Sequence, residues 1–309
     1  MIYPEQIILE VTNHCNIRCR YCHFHGEGAK RKRPLGFIKE GLWKKVIEEI
    51  GHWPRQVTLM THGAGEPLLY KKLPELLSFA KQYDNIYLGF MSNAMLFDND
   101  WTQRTLDLGL DWLAFSVDGT DPEKHAYYRR GTDLKLIENH ILHLIEEKEK
   151  RGSSKPYIML NMVVYPGMED EKERFVKKWI GLVDRVMLSQ FRPVGSRRLW
   201  EGKAPVDFQP CPYVFRQCVI SFDGKIGLCC EDINLDVEIG DVYKEDILHI
   251  FNNAKINQIR ELHKQGKLQE ISLCATCHIW AAGITVEKRD LGEIIYERTP
   301  AFEAYARKR

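Results

Sequence analysis

The chain has 309 residues, 44% apolar and 28% charged, which suits two domains of ordinary size with a real core and excludes a wholly disordered chain. Lys plus Arg number 44 against 43 Asp plus Glu, a formal charge of +1, so no global electrostatic footprint for nucleic acid or an anionic membrane is present. No apolar run approaches the roughly 18 residues of a membrane span, and the opening Met1-Ile2-Tyr3-Pro4-Glu5 lacks the layout of a signal peptide; a soluble cytoplasmic protein is expected.

In chain order, short apolar runs predict strands at 7–11, 57–61, 86–91, 112–117, 157–164 and 186–190. Between them, amphipathic stretches predict helices at 38–50, 73–82, 101–108, 134–150 and 171–182. Strands alternating with helices of this length imply βαβ units and a parallel sheet. Six strands fit either a (β/α)₆ partial barrel or an open doubly wound sheet, and periodicity alone does not separate the two. After about Pro193 the pattern changes. Gly195-Ser196-Arg197-Arg198 and Ala204-Pro205 read as a linker, and Asp223-Gly224 between two apolar runs reads as a hairpin turn. A helix is expected over 244–264, then a final cysteine pair. The expected division is 1–195 for the α/β part and 196–309 for a small hairpin-plus-helix module that needs a metal staple, because so short a segment buries little core.

Nine cysteines cluster as Cys15/Cys19/Cys22, Cys211/Cys218, Cys229/Cys230 and Cys274/Cys277. An odd count without a signal argues for metal binding in a reducing compartment over a disulfide scaffold. Cys15, Cys19 and Cys22 form C-x₃-C-x₂-C directly after the first strand, where parallel α/β proteins place their chemistry. Three thiolates suit an iron–sulfur cluster, whose fourth iron would stay open. They also suit zinc, with His14, His23 or His25 as fourth ligand.

With Tyr21 immediately before the third cysteine, the motif resembles the radical S-adenosylmethionine (radical SAM) family. Gly63-Ala64-Gly65-Glu66-Pro67 after the second strand is similar to that family's GGEP loop, with Ala64 in place of one glycine. Ser92-Asn93, Ser116-Val117-Asp118-Gly119, His125 and Arg129-Arg130-Gly131 follow in the family's order, so the likeness covers roughly residues 5–195. The resemblance implies a partial TIM barrel, a [4Fe–4S] cluster on Cys15, Cys19 and Cys22, and S-adenosylmethionine chelated to its open iron. Reductive cleavage would release a 5′-deoxyadenosyl radical that takes hydrogen from a substrate carbon, the protein orienting the cofactor and excluding water. It further implies that Gly63, Gly65 and Glu66 face the methionine amino group and that Tyr21 packs near the adenine. Ser92 belongs to the same cofactor-binding set, with Ser116 toward the ribose or the carboxylate, Asn161 toward the ribose and Arg130 toward the carboxylate.

Cys211, Cys229 and the pair Cys274/Cys277 have a zinc-ribbon-like layout. Together with Asp223-Gly224, Cys229-Cys230-Glu231-Asp232, Gly240-Asp241-Val242 and Arg260-x₂-His263, they also resemble the twitch or SPASM extension, whose four thiolates bind an auxiliary [4Fe–4S] cluster. Cys218 is an alternative to Cys211 as ligand. Cys230 reads either as a small buried apolar residue beside a ligand or as a hydrogen-atom donor to a substrate radical.

Lys30-Arg31-Lys32-Arg33 reads as a solvated loop or a phosphate contact, and Arg307-Lys308-Arg309 as a frayed end. Trp43, Trp53, Trp101, Trp112 and Trp179 read as core, and His140 and His143 as plain helix residues. With the first strand starting near residue 7, no N-terminal peptide-recognition domain is expected, which favours a small carbohydrate-like substrate over a peptide. The outcomes considered are epimerisation, with Cys230 returning hydrogen, and dehydrogenation, with Asp118 or Arg192 as base. A non-enzymatic electron carrier or zinc-stapled binding module stands against both. The expected partners are a small-molecule substrate, with a peptide as alternative, and a reductant of the flavodoxin or ferredoxin type.

Overall fold

The structure is a computed structural model that describes residues 1–308. In chain order its main elements are β1 (Gln6–Leu9), α1 (Glu40–Gly51), β2 (Val57–Met60), α2 (Leu73–Ala80), β3 (Ile86–Ser92), α3 (Asn99–Asp107), β4 (Trp112–Ser116), α4 (Pro122–Tyr128), α5 (Leu134–Lys150), β5 (Tyr157–Val164), α6 (Glu169–Trp179) and β6 (Arg185–Gln190). They continue with α7 (Tyr213–Arg216), β7 (Gln217–Ile220), β8 (Lys225–Gly227), β9 (Glu238–Asp241), α8 (Ile247–Ile250), α9 (Ala254–Lys264), β10 (Glu287–Asp290), β11 (Ile294–Arg298) and β12 (Phe302–Arg307). All six predicted strands and all five predicted helices of the first two-thirds form, with ends shifted by a few residues.

Two compact units share these elements, each drawn from separate stretches of chain. One comprises residues 1–15, 30–90 and 207–280, the other 16–29, 91–206 and 281–309. In the first, β1 lies between β2 and β7 and runs parallel to both; β2 pairs in parallel with β3, while β8 joins β7 and β9 antiparallel. Ile7, Ile8 and Leu9 are all buried, as a parallel strand covered on both faces requires, and each contributes about 1.5–3 kcal/mol of burial. α1 turns Leu42, Trp43, Val46, Ile47 and Ile50 inward, one helical face. In the second unit β4, β5 and β6 run parallel, and Asp98, Asp121 and Asp133 cap α3, α4 and α5 through their carboxylates.

Three expectations need correction. The helix expected over 244–264 is two helices, because the Asn253 side chain accepts the Ile256 N–H at 3.1 Å and starts α9 afresh after α8. Arg307 is not frayed: it closes β12, and its N–H donates to the Asp184 carbonyl at 3.0 Å. Lys308 Nζ reaches both Asp290 oxygens at 2.7 Å, whereas Arg309 lies outside the described residues. Trp43, Trp53, Trp112 and Trp179 are buried as expected, but Trp101 is only half-buried. β10, β11 and β12 form an antiparallel meander on β6 that the sequence pattern did not announce.

Candidate functional site

The loop that follows β1 begins as a set of backbone clasps. Thr12 Oγ1 donates to the Gly36 carbonyl at 2.7 Å, Asn13 Nδ2 donates to the Pro34 carbonyl at 2.8 Å, and Asn13 Oδ1 accepts the Gly36 N–H at 2.9 Å. One residue before Cys15, the His14 carbonyl accepts the Glu66 N–H at 2.8 Å. This fixes the Gly-Ala-Gly-Glu-Pro loop against the start of the cysteine loop, and a side chain at Gly65 has no room: its Cβ would lie 2.3 Å from the His14 carbonyl oxygen. Glu66 is buried, and its carboxylate caps the short 3₁₀ turn Pro67–Leu69 by accepting the Leu68 N–H.

Glu10, just past β1, holds the same loop from below. Its Oε2 accepts the Ala64 N–H at 3.0 Å, and both carboxylate oxygens take a guanidinium nitrogen of Arg33 at 2.8 Å. Arg33 Nε also donates to the Ile233 carbonyl at 2.8 Å, so Arg33 is a buried strut and not a solvated charge. Lys32, one residue earlier, is exposed as expected of a solvated loop and pairs at the surface with Asp236 at 2.6 Å.

Glu10, Arg33, His62, Gly63 and Ala64 share a cavity of about 160 Å³ with Cys229 and Cys230. Cys230 is exposed, and its N–H donates to Gln217 Oε1 at 3.1 Å. The small-buried-residue reading therefore does not describe its position. His62 was not singled out from the sequence, since one histidine between a strand and a glycine loop carries no spacing signal. Burial lowers its pKa to about 4, leaving a neutral ring.

A second cavity is lined by Cys211, Cys229, Cys274 and Cys277, with His263 and Trp280. Cys218 instead sits inside β7, opposite Ile7 and almost fully buried. Burial pushes the Cys211 thiol up to about 12 and that of Cys229 well above its ordinary range. Such thiols give up their protons only to a strongly binding cation or cluster. Four sulfur donors around one cavity fit the auxiliary cluster expected there.

In the second unit, Arg18 and Cys19 pair antiparallel with Arg130 and Arg129, and the Cys22 N–H donates to the Cys19 carbonyl at 3.2 Å. Cys22 Sγ accepts the His25 N–H at 3.3 Å. Arg129 Nη1 stands 3.8 Å from Cys19 Sγ, and its Nε donates to Asp118 at 2.7 Å. Burial raises the Cys19 thiol, and Arg129 opposes that shift. Burial also works against the Arg129 charge, but Asp118 and Cys19 outweigh it and raise its pKa. Asp118 further accepts the Val163 N–H at 2.8 Å and the Tyr165 hydroxyl at 3.2 Å, so a free base is not what the structure makes of it. The sequence points to Arg130 rather than Arg129, because two adjacent arginines give no sign of which one turns inward.

The remaining expected contacts fall as follows. The Tyr21 ring lies 4.8 Å from Phe191 and 5.6 Å from Tyr165, which stacks on Tyr128 at 3.9 Å. Ser92 is buried and accepts the Ala94 N–H at 3.0 Å. Ser116 sits opposite Asn161 in the β4–β5 register, and Asn161 Oδ1 accepts the Ser189 hydroxyl at 2.7 Å. Arg130 is exposed and pairs with Glu27 at 2.5 Å. His140 and His143 bond Ala94 and Asn99 within their unit. No helix is long and apolar enough to cross a membrane among the described residues.

Comparisons with known proteins agree with this chemistry. Residues 9–178 match the radical SAM superfamily, and residues 211–278 match SPASM, an iron–sulfur cluster-binding domain. A curated relative, GTP 3',8-cyclase of Syntrophomonas wolfei subsp. wolfei, is 27% identical over 197 residues, which is 62% of this chain and 57% of that protein. The chain thus spans about half the length of such relatives. Among solved structures, BtrN in complex with AdoMet and 2-DOIA aligns with a TM-score of 0.62 at 19% identity, covering 89% of this chain and 93% of that one. Streptococcus suis SuiB bound to precursor peptide SuiA aligns at 0.65 and 13%, covering 84% and 67%. These likenesses show the fold, the mixed α/β arrangement of parallel strands expected of a partial TIM barrel with a C-terminal extension. The two family matches imply a [4Fe–4S] cluster that binds S-adenosylmethionine and an auxiliary cluster. With its cysteine loop, its glycine loop and its second cysteine cavity accounted for, this chain belongs to the radical SAM superfamily and carries a SPASM domain.

Proposed function

We propose that this radical SAM enzyme epimerises a carbon of a small, polar, carbohydrate-like substrate, with Cys230 returning the hydrogen. The observation that carries the reading is the exposed Cys230 thiol on one cavity with Gly63 and Ala64 of the cofactor loop. When bound, the cluster and S-adenosylmethionine supply a 5′-deoxyadenosyl radical that removes a hydrogen atom from an unactivated carbon. Cys230 then gives its S–H hydrogen to the opposite face of that carbon, and the sulfur-centred radical left behind needs one electron and one proton to return to the thiol. That electron comes from a reducing partner of the flavodoxin or ferredoxin class, in a cytoplasmic setting that suits nine cysteines none of which forms a disulfide.

On this reading the cysteines of the C-x₃-C-x₂-C loop, Cys15, Cys19 and Cys22, are cluster ligands. Cys211, Cys229, Cys274 and Cys277 are the auxiliary ligands. Gly63, Gly65 and Glu66 receive the methionine amino group, Tyr21 packs on the adenine, and Ser92, Ser116 and Asn161 contribute to cofactor binding. Arg130 would have to leave Glu27 to reach the carboxylate. The chemical division of the chain falls near residue 195, between residues 1–195 and 196–309. A small substrate is supported by the modest cavity and by relatives named for a nucleotide or solved with 2-DOIA. The SuiB–SuiA structure makes a peptide the alternative substrate.

Dehydrogenation is the second reading, favoured because Cys229 lines both cavities and so links the substrate space to the auxiliary site. Its base would be the neutral His62, since Asp118 is held by Arg129. Turnover in D₂O separates the two. Epimerisation places one deuterium on the substrate carbon, and Cys230→Ala removes that label while 5′-deoxyadenosine still forms. Full activity of Cys230→Ala without solvent label would exclude the thiol as donor.

A further inference from the structure

His263 is the side chain of the four-cysteine cavity that ligation leaves without a task. It lies in the last turn of α9, is 2% exposed, and lines the cavity beside Cys211, Cys229, Cys274 and Cys277. Its Nδ1 accepts the Cys211 N–H at 3.4 Å, so the ring proton resides on Nε2. That Nε2 is buried and has no hydrogen-bond partner among the described residues. Buried donors in native proteins are nearly always satisfied, so an orphan beside four thiols points at what the thiols hold. The ring cannot swing away easily. One turn earlier Arg260 is also buried, stacks 4.4 Å over Phe251 and donates from Nε to the Val214 carbonyl at 2.8 Å. α9 is thereby fixed against α7, the short helix directly after Cys211.

We propose that His263 Nε2–H donates a hydrogen bond to a sulfur of the iron–sulfur group held by the four cysteines and raises its reduction potential. The proposal rests on the auxiliary-ligand reading above. Reduction adds negative charge that spreads onto the sulfurs, so a donor aimed at one of them stabilises the reduced state more than the oxidised one. His263 is a positioning and tuning residue: no proton is transferred, and the histidine does not become a ligand.

The test is a potentiometric titration, followed by electron paramagnetic resonance, of the full chain with both clusters reconstituted anaerobically. His263→Phe keeps the bulk and removes the donor; His263→Gln keeps an N–H of shorter reach. At the wild-type midpoint, the reduced-to-oxidised ratio of the auxiliary cluster should fall about tenfold in His263→Phe, equivalent to a downward shift of about 59 mV for one electron. His263→Gln should recover part of it, with the other cluster unmoved. An unchanged auxiliary potential in His263→Phe with intact iron overturns the proposal. Should that variant lose iron, wild-type protein labelled with ¹⁵N-histidine decides. A hyperfine coupling from one ring nitrogen to the reduced auxiliary cluster supports the hydrogen bond, and its absence refutes it. Retention of the auxiliary signal in Cys274→Ser/Cys277→Ser would instead overturn the ligand reading on which the proposal stands.

Discussion

Replacing Arg33 by Met should be among the most damaging single changes outside the cluster ligands. The Arg33 side chain is 9% exposed and that of Glu10 5%. Methionine fills much of the same volume but withdraws three charge-assisted hydrogen bonds, two to Glu10 and one to the Ile233 carbonyl. Glu10 is left buried with the Ala64 N–H as the partner that remains. An uncompensated buried charge of this kind costs about 3–5 kcal/mol. The double variant Arg33→Met/Glu10→Leu removes the orphaned charge with its partner and should recover about half or more of that loss. Urea unfolding of the anaerobic protein, followed by tryptophan fluorescence, supplies the cycle. Because Glu10 also holds the Ala64 backbone, both variants should raise the KM for S-adenosylmethionine, and the double variant should be stable yet still impaired. A loss below about 1 kcal/mol in Arg33→Met, or a double variant as unstable as the single, would refute the strut reading.

Other perturbations have similarly defined outcomes. Gly65→Ala drives a methyl group into the His14 carbonyl and should abolish 5′-deoxyadenosine formation in a dithionite assay, with secondary structure retained by circular dichroism. Changing Cys211, Cys229, Cys274 and Cys277 together to Ser should reduce iron from about eight to about four per chain, measured by metal analysis. Burial, with the Arg129 charge beside it, holds the His125 pKa down to about 4, below its ordinary 6.5. Its contribution is therefore fully present above pH 6.5 and is lost as pH falls through about 4, up to about 3 kcal/mol. Stability measured across that window should fall with acid, and less steeply in His125→Gln. Asn253→Ala should cost about 1 kcal/mol by removing the cap that starts α9, read from the urea midpoint.

Much of the α/β part was legible because its strands are buried on one face or both and its helices on one, so pattern and burial coincide. Tyr157–Val164 and Leu134–Lys150 emerge with the limits expected from sequence. The meander of β10 to β12 was not legible: Glu287–Asp290 carries four charged residues, and what holds it is pairing with β11, which no local pattern encodes. The break between α8 and α9 could have been read from Asn253 had its capping role been weighed against the run of helix formers.

For the site, the sequence by itself determined the chemistry. Cysteine spacing and the glycine loop are local, and three thiols within eight residues of chain are close whatever the fold. Tertiary structure decided where each of several equivalent side chains is placed. It brings Cys211 rather than Cys218 to the four-thiol cavity, turns Arg129 inward and leaves Arg130 outside, and makes Arg33 a strut for Glu10. It also places Cys230 and His62 on one cavity and leaves His263 with an unspent donor. These choices depend on which face of an element is buried against distant chain, and burial is a property of packing that no short stretch of residues contains.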